Sequence, residues 1–128
     1  MGEKYILAID QSTTSTQGVL IDGAGKRIIS RSIEHSQFYP NPGWVEHDGE
    51  EIYSNTLWVI RGVLEDSGVL PEEIQAMAIA NQRETIIIWD RITGKPIYNA
   101  IVWQCRRGSG ICDKLNNEGF GKLVQDKT

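Results

Sequence analysis

The stretch Tyr5–Asp22, YILAIDQSTTSTQGVLID, decides the fold. Tyr5 to Ile9 is an apolar run too short for a stable helix and well suited to a buried strand. It ends on Asp10, and Val19, Leu20 and Ile21 resume the apolar pattern after Gln11 to Gly18. A buried carboxylate is expected at that strand end. Followed by Ser12, Thr13, Thr14, Ser15 and Thr16, it offers an anion for a metal, with hydroxyl and amide donors for phosphate oxygens. The same residues also suit a Ser/Thr turn whose hydroxyls bond nearby backbone, and both readings stay open at this point. No GxxxxGK[ST] motif occurs, so any phosphate binding would come from a hairpin instead of a P-loop.

Working outward, Asp22-Gly23-Ala24-Gly25-Lys26 reads as a turn and Ile28 to Ile33 as a third strand, which makes a mostly antiparallel meander. Pro40-Asn41-Pro42-Gly43 breaks regular structure. Asp48 with Glu51 three residues on is a capping-box signal, Ile52, Val59, Ile60, Val63 and Leu64 recur at helical spacing, and Gly68 is the expected stop. Pro71 opens a short helical turn that feeds a strand over Ala76–Ala80. Further strands are expected over Thr85–Trp89 and Ile97–Trp103, joined by the turn Thr93-Gly94-Lys95-Pro96, with a helix over Arg106–Leu115. This order predicts an α/β domain, a mixed sheet flanked by helices. The closing GFGKLVQDKT has no evident element, and the natural chain is expected to continue past Thr128.

The 128 residues suffice for one domain with a real core. A net charge of -4, with Arg106 and Arg107 as the densest basic spot, argues against a nucleic-acid binder. Cys105 and Cys112 are too few for a four-cysteine zinc site, and no secretory pattern points to a disulfide framework. With no run approaching 18 apolar residues, the chain reads as soluble and cytoplasmic, without membrane insertion.

Three other stretches could carry chemistry. Asn81-Gln82-Arg83-Glu84 follows an apolar strand. It is either a solvated turn with a surface ion pair or a donor-acceptor cluster for neighbouring hydroxyls of a polyol. Trp103-Gln104-Cys105-Arg106-Arg107 has the same layout: the indole could cover a polyol or sit in the core, and Cys105 reads as a buried, inert thiol. Arginines near a helix N-terminus oppose its dipole, so Arg106 and Arg107 call for acidic partners or a ligand. His35 and His47 lack metal-site spacing and read as surface or packing residues, and Trp44 as a lid residue packed on the domain.

The segments AIDQSTTST, YPNPGWVEHD, ANQRETIIIWD and TGKPIYNAIVWQCRR together resemble the N-terminal part of the FGGY carbohydrate kinases, and within them the members acting on glycerol. The resemblance implies a ribonuclease H-like fold of the actin and hexokinase superfamily, with residues 1–128 covering the first part of the first of two domains. It implies magnesium-dependent transfer of the ATP γ-phosphoryl group to a terminal hydroxyl of glycerol, or of a related polyol or sugar, in a homo-oligomer at full length. By the same resemblance, Thr13, Thr14, Ser15 and Gln17 match the nucleotide-phosphate site, with Thr13 also near the acceptor. Asp10 matches the magnesium shell, and Arg83, Glu84 and Trp103 match the polyol site. The catalytic base is expected beyond Thr128, so the 128-residue chain alone is expected to be inactive. Two residues depart from the family's usual DQGTTSSR hairpin: Ser12 replaces a glycine and Gln17 an arginine. Those departures leave open a non-catalytic module that binds polyol or phosphate.

Overall fold

The computed structural model describes residues 4–128. Strands β1 (Tyr5–Gln11), β2 (Ser15–Asp22) and β3 (Arg27–Glu34) form the expected meander. After a two-residue strand β4 (Glu46–His47), helix α1 (Gly49–Ser67) and a single 3-10 turn (Pro71–Glu73) lead into β5 (Ile74–Ala80). The four-stranded sheet has the order β3-β2-β1-β5, with β5 parallel to β1 and the other pairs antiparallel. A parallel neighbour needs a crossover, and α1 supplies it.

Strand alternation puts Tyr5, Leu7 and Ile9 on one face, beside Leu20 and Thr16 of β2, and all five are buried. Val59 and Val63 of α1 cap this core. Helix and sheet approach closely at Gly18, where an added Cβ would lie 3.3 Å from Val63 Cγ2 and 3.4 Å from Val59 Cβ. Asp10 falls on the opposite face and is exposed, which corrects the expectation of a buried acid.

The ends of α1 follow the sequence in most respects. Asp48 Oδ1 accepts from the N–H groups of Glu50 (2.8 Å) and Glu51 (3.4 Å). The capping box is half made, because the Glu51 carboxylate instead accepts from Ser36 N and Oγ. Gly68 ends the helix at φ 68°, its N–H donating to Leu64 O at 3.0 Å.

The second half of the chain departs further. Within the expected strand Ile97–Trp103, only β6 (Ala100–Ile101) forms, paired with β4. Thr85–Trp89 is no strand: it touches its neighbours through the isolated bridges Ile86↔Ile101 and Trp89↔Pro96. Pro96, which has no N–H to donate, takes the non-hydrogen-bonded position of its bridge, flanked by Asp90 N→Lys95 O (2.8 Å) and Ile97 N→Ile88 O (3.0 Å). The helix expected over Arg106–Leu115 starts later, as α2 (Ser109–Asn117), because turn bonds Cys105 N→Val102 O and Ser109 N→Arg106 O occupy the preceding residues. A further helix, α3 (Phe120–Lys127), stands where none was expected, set off from α2 by Gly119 at φ 87°. No helix among the described residues is long and apolar enough to cross a membrane.

Candidate functional site

The ends of β1 and β5 lie side by side, with Asp10 paired to Ala80, so the hairpin after β1 and the loop after β5 open onto one cleft of about 420 Å³. Asp10, Gln11, Ser12 and Thr13 line one wall and Asn81 to Glu84 the other, with Trp103 joining them. Parallel strands that end together place their following loops at one sheet edge, where ligands commonly bind.

The hairpin tip is tied by Ser12. Its N–H donates to Ser15 O (2.9 Å), its hydroxyl donates to the same carbonyl (3.0 Å), and the Ser15 N–H returns to Ser12 Oγ (3.3 Å). The Ser/Thr-turn reading therefore holds for Ser12 and Ser15. Three hydroxyls stay outside that turn, that of Thr16 buried against His35. Thr13 Oγ1 accepts from the indole N–H of Trp103 at 2.9 Å, and Thr14 is exposed. Thr14, Ser15 and Gln17 do not line the cleft itself. Gln17 does sit directly across from Asp10 on β2, within reach of the same edge.

On the facing wall, Arg83 and Glu84 are exposed, and among the described residues neither side chain makes an ion pair or hydrogen bond. The surface ion pair that sequence left open is not formed. Glu84 has φ 60°, the one non-glycine positive φ among the described residues. A left-handed glutamate costs about 1 to 2 kcal/mol, and such strain clusters at binding sites. Trp103 is half exposed, held by its Thr13 bond and by its own N–H donating to Thr85 Oγ1 (3.3 Å).

Behind the cleft lies a polar core that sequence reasoning missed. His35 and His47 are buried, which selects the packing alternative over the surface one, with ring centroids 6.0 Å apart. Burial holds both imidazoles below the ordinary 6.5; His35 lowers His47 further, and Glu51 opposes the shift in each. His35 meets Thr16 Oγ1 (3.1 Å) and Asn55 Nδ2 (3.2 Å), and His47 meets Gln37 (2.9 Å) and Gln82 (3.3 Å). Lone histidines and glutamines at irregular spacing carry no periodic signal, so nothing in the chain order announces this cluster.

The arginine pair divides. Arg106 is exposed, whereas Arg107 binds Glu46 at 2.6 Å and stacks 3.9 Å from the centre of the Trp44 ring, so the Trp44 indole packs on the domain. Glu46 also accepts from Tyr98 Oη (2.9 Å) and Asn99 Nδ2 (3.1 Å). Burial pushes this carboxyl up, and the bonds from Arg107, Asn99 and Tyr98 outweigh it, leaving it below its ordinary value. Cys105 is half-buried. Burial raises its thiol, but Arg107 Nε donates to Sγ at 2.9 Å and, with backbone donors, draws it lower.

Magnesium keeps most of its waters and is held by one or two carboxylates plus substrate phosphates, so the exposed Asp10 at the cleft fits such an ion. No cluster of three or more His, Cys, Asp or Glu forms a closed protein cage among the described residues.

Residues 5–128 match the family model described as the FGGY family of carbohydrate kinases, N-terminal domain. Over 125 residues the chain is 54% identical to a glycerol kinase of Caldanaerobacter subterraneus subsp. tengcongensis, covering 98% of this chain and 25% of that protein. It is 50% identical to glycerol kinase 1 of Thermotoga maritima over 97% of this chain and 25% of the relative. Among solved structures, the gluconate kinase of Lactobacillus acidophilus superposes with a TM-score of 0.86 at 25% identity, over 96% of this chain and 24% of that one. The glycerol kinase of Plasmodium falciparum with ADP superposes with a TM-score of 0.75 at 40% identity, over 88% and 23%. The chain thus spans about a quarter of the length of the curated relatives it matches.

Proposed function

Because this chain belongs to the FGGY family of carbohydrate kinases, we propose that it forms the first part of a cytoplasmic kinase that moves the γ-phosphoryl group of ATP to a terminal hydroxyl of glycerol. The observation that carries this reading is the single cleft in which a hydroxyl-rich hairpin and an uncommitted Arg83–Glu84 pair face each other across Trp103.

Each residue has a physical task in it. Thr13, Thr14 and Ser15 offer donors to the nucleotide phosphates, with Gln17 as an uncharged donor beside Asp10. Arg83 donates to one polyol hydroxyl and Glu84 accepts from another, while the Trp103 indole covers the carbon chain. Thr13 stands between the two substrates, its hydroxyl already oriented by Trp103. Asp10 would hold magnesium, which neutralises charge on the transferring phosphoryl group. Phosphoryl transfer depends on in-line positioning and charge neutralisation, which suits a site of donors without a nucleophile. The base that takes the proton of the attacking hydroxyl is assigned to the part of the relatives that this chain does not span.

The relatives' names and the unpaired acceptor residues support glycerol, and the likeness to a gluconate kinase keeps other polyols and sugars in the test. A coupled assay of ADP release by the full-length protein, with ATP and a panel of polyols, is expected to show turnover with glycerol. No turnover with any polyol would leave a binding module in place of an enzyme.

A further inference from the structure

Resting on that kinase reading, we propose that His47 is a positioning residue. From the core it holds the hairpin tip and the acceptor-binding loop at one separation through a closed ring of hydrogen bonds.

The ring can be followed atom by atom. Gln37 Nε2 donates to the backbone carbonyl of Thr13 at 3.0 Å, which turns its amide oxygen toward His47 Nε2, 2.9 Å away. That oxygen only accepts, so the proton of the neutral imidazole sits on Nε2 and Nδ1 is left as an acceptor. Gln82 Nε2 donates to Nδ1 at 3.3 Å. The Gln82 oxygen accepts from the Thr85 hydroxyl (3.1 Å), Thr85 Oγ1 accepts from the Trp103 N–H (3.3 Å), and the Trp103 indole returns to Thr13 Oγ1 (2.9 Å). One arm ends on the hairpin tip and the other beside Arg83 and Glu84. The hub does not follow solvent: His47 has 0% exposure and lies in β4, paired to β6.

The direction of every bond matters. A second proton on Nδ1 would face the Gln82 amide N–H and leave two donors opposed, so only the neutral ring closes the circuit. The consequence is kinetic, because an in-line displacement loses rate steeply when its two substrates are misplaced by an ångström or less. A residue that merely fills the core would not couple the two arms. A hub would.

The test uses the full-length protein with ATP and glycerol, and the variants Gln37→Met, Gln82→Met, the double variant, His47→Gln and His47→Asn. Glutamine keeps a donor near the Nε2 position, and asparagine keeps an acceptor near the Nδ1 position. Each single methionine variant removes two part-buried hydrogen bonds of the ring and is expected to lower kcat about ten-fold, with a smaller change in KM. The double variant should be no slower than the slower single one, because either break opens the same ring. Additive losses, about a hundred-fold together, would overturn the proposal, as would full activity in both His47 variants. Should the His47 variants fail to fold, the two half-buried glutamines carry the test. If the wild-type protein turns over no polyol, the kinase reading falls by itself, and hydrogen exchange decides the coupling. Faster exchange at residues 13–15 in Gln82→Met supports it, and acceleration confined to residues 82–85 overturns it.

Discussion

At the scale of single residues, Glu84 holds together the binding and strain arguments. Its carboxylate has no partner among the described residues while its backbone sits at φ 60°. Backbone strain at a side chain without local bonding fits the proposed role of Glu84 in holding the acceptor. Replacement separates backbone from side chain. Glu84→Gly removes the steric cost, offset in part by the greater freedom of glycine in the unfolded chain, so the thermal midpoint should hold or rise. Glu84→Val adds a β-branch in the same region and should lower stability by about 1 kcal/mol or more. Both variants should lose affinity for glycerol, and melting curves beside calorimetry check this. Ser12 shows a related economy: where the family usually has glycine, the backbone here stays out of positive φ and the hydroxyl closes the turn.

At the scale of elements, the ion pair Arg107–Glu46 joins the loop before α2 to β4. The Glu46 side chain is 3% exposed and that of Arg107 18%, so the pair is largely desolvated and also bonded to Tyr98 and Asn99. Removing one partner strands a buried charge, and Arg107→Leu is expected to destabilise the protein by about 3 kcal/mol in a denaturant titration. The exposed Arg31–Asp66 pair should matter far less when broken. Elements with periodic or capped sequence were legible: the β1–β2 hairpin from its two apolar runs, and α1 from Asp48, its spaced apolar residues and Gly68. The region after Ala80 was not. Ile86, Ile87 and Ile88 look like a strand, but they pair only at isolated bridges. Gly119 and Gly121 hid α3, because glycine weakens helix propensity without forbidding the helix. For the candidate site, Asp10, Thr13, Arg83, Glu84 and Trp103 were legible as residues at the ends of apolar runs. The circuit through Gln37 and His47 depends on long-range packing and left no mark on chain order.

At the scale of the molecule, two buried histidines sit behind the cleft and several apolar side chains lie open to solvent. Because the folded pKa of each imidazole is lowered, the unfolded chain binds more protons below about 6.5, and stability should fall as pH drops from 7 toward 5. Glu46 acts in a lower window. Its folded pKa is depressed, so its contribution is present above about 4.5 and is lost as pH falls below that. Melting points across this range should decline from near 6.5 downward; a flat profile between 7 and 5 would argue that the histidines are not buried neutral. Met77 and Ile79 of β5 are 55% and 58% exposed, and Phe120, Leu123 and Val124 of α3 are also open. The 128-residue chain expressed alone is expected to bind a hydrophobic dye more strongly than the full-length protein and to release no ADP. The central claim is that the cleft between the hairpin and Arg83–Glu84 binds a polyol, and titration calorimetry tests it most directly. Glycerol added to the full-length protein should give saturable heat, and Arg83→Ala, folded with an unchanged melting point, should give none. No heat with the wild-type protein, or equal binding by Arg83→Ala, would contradict it.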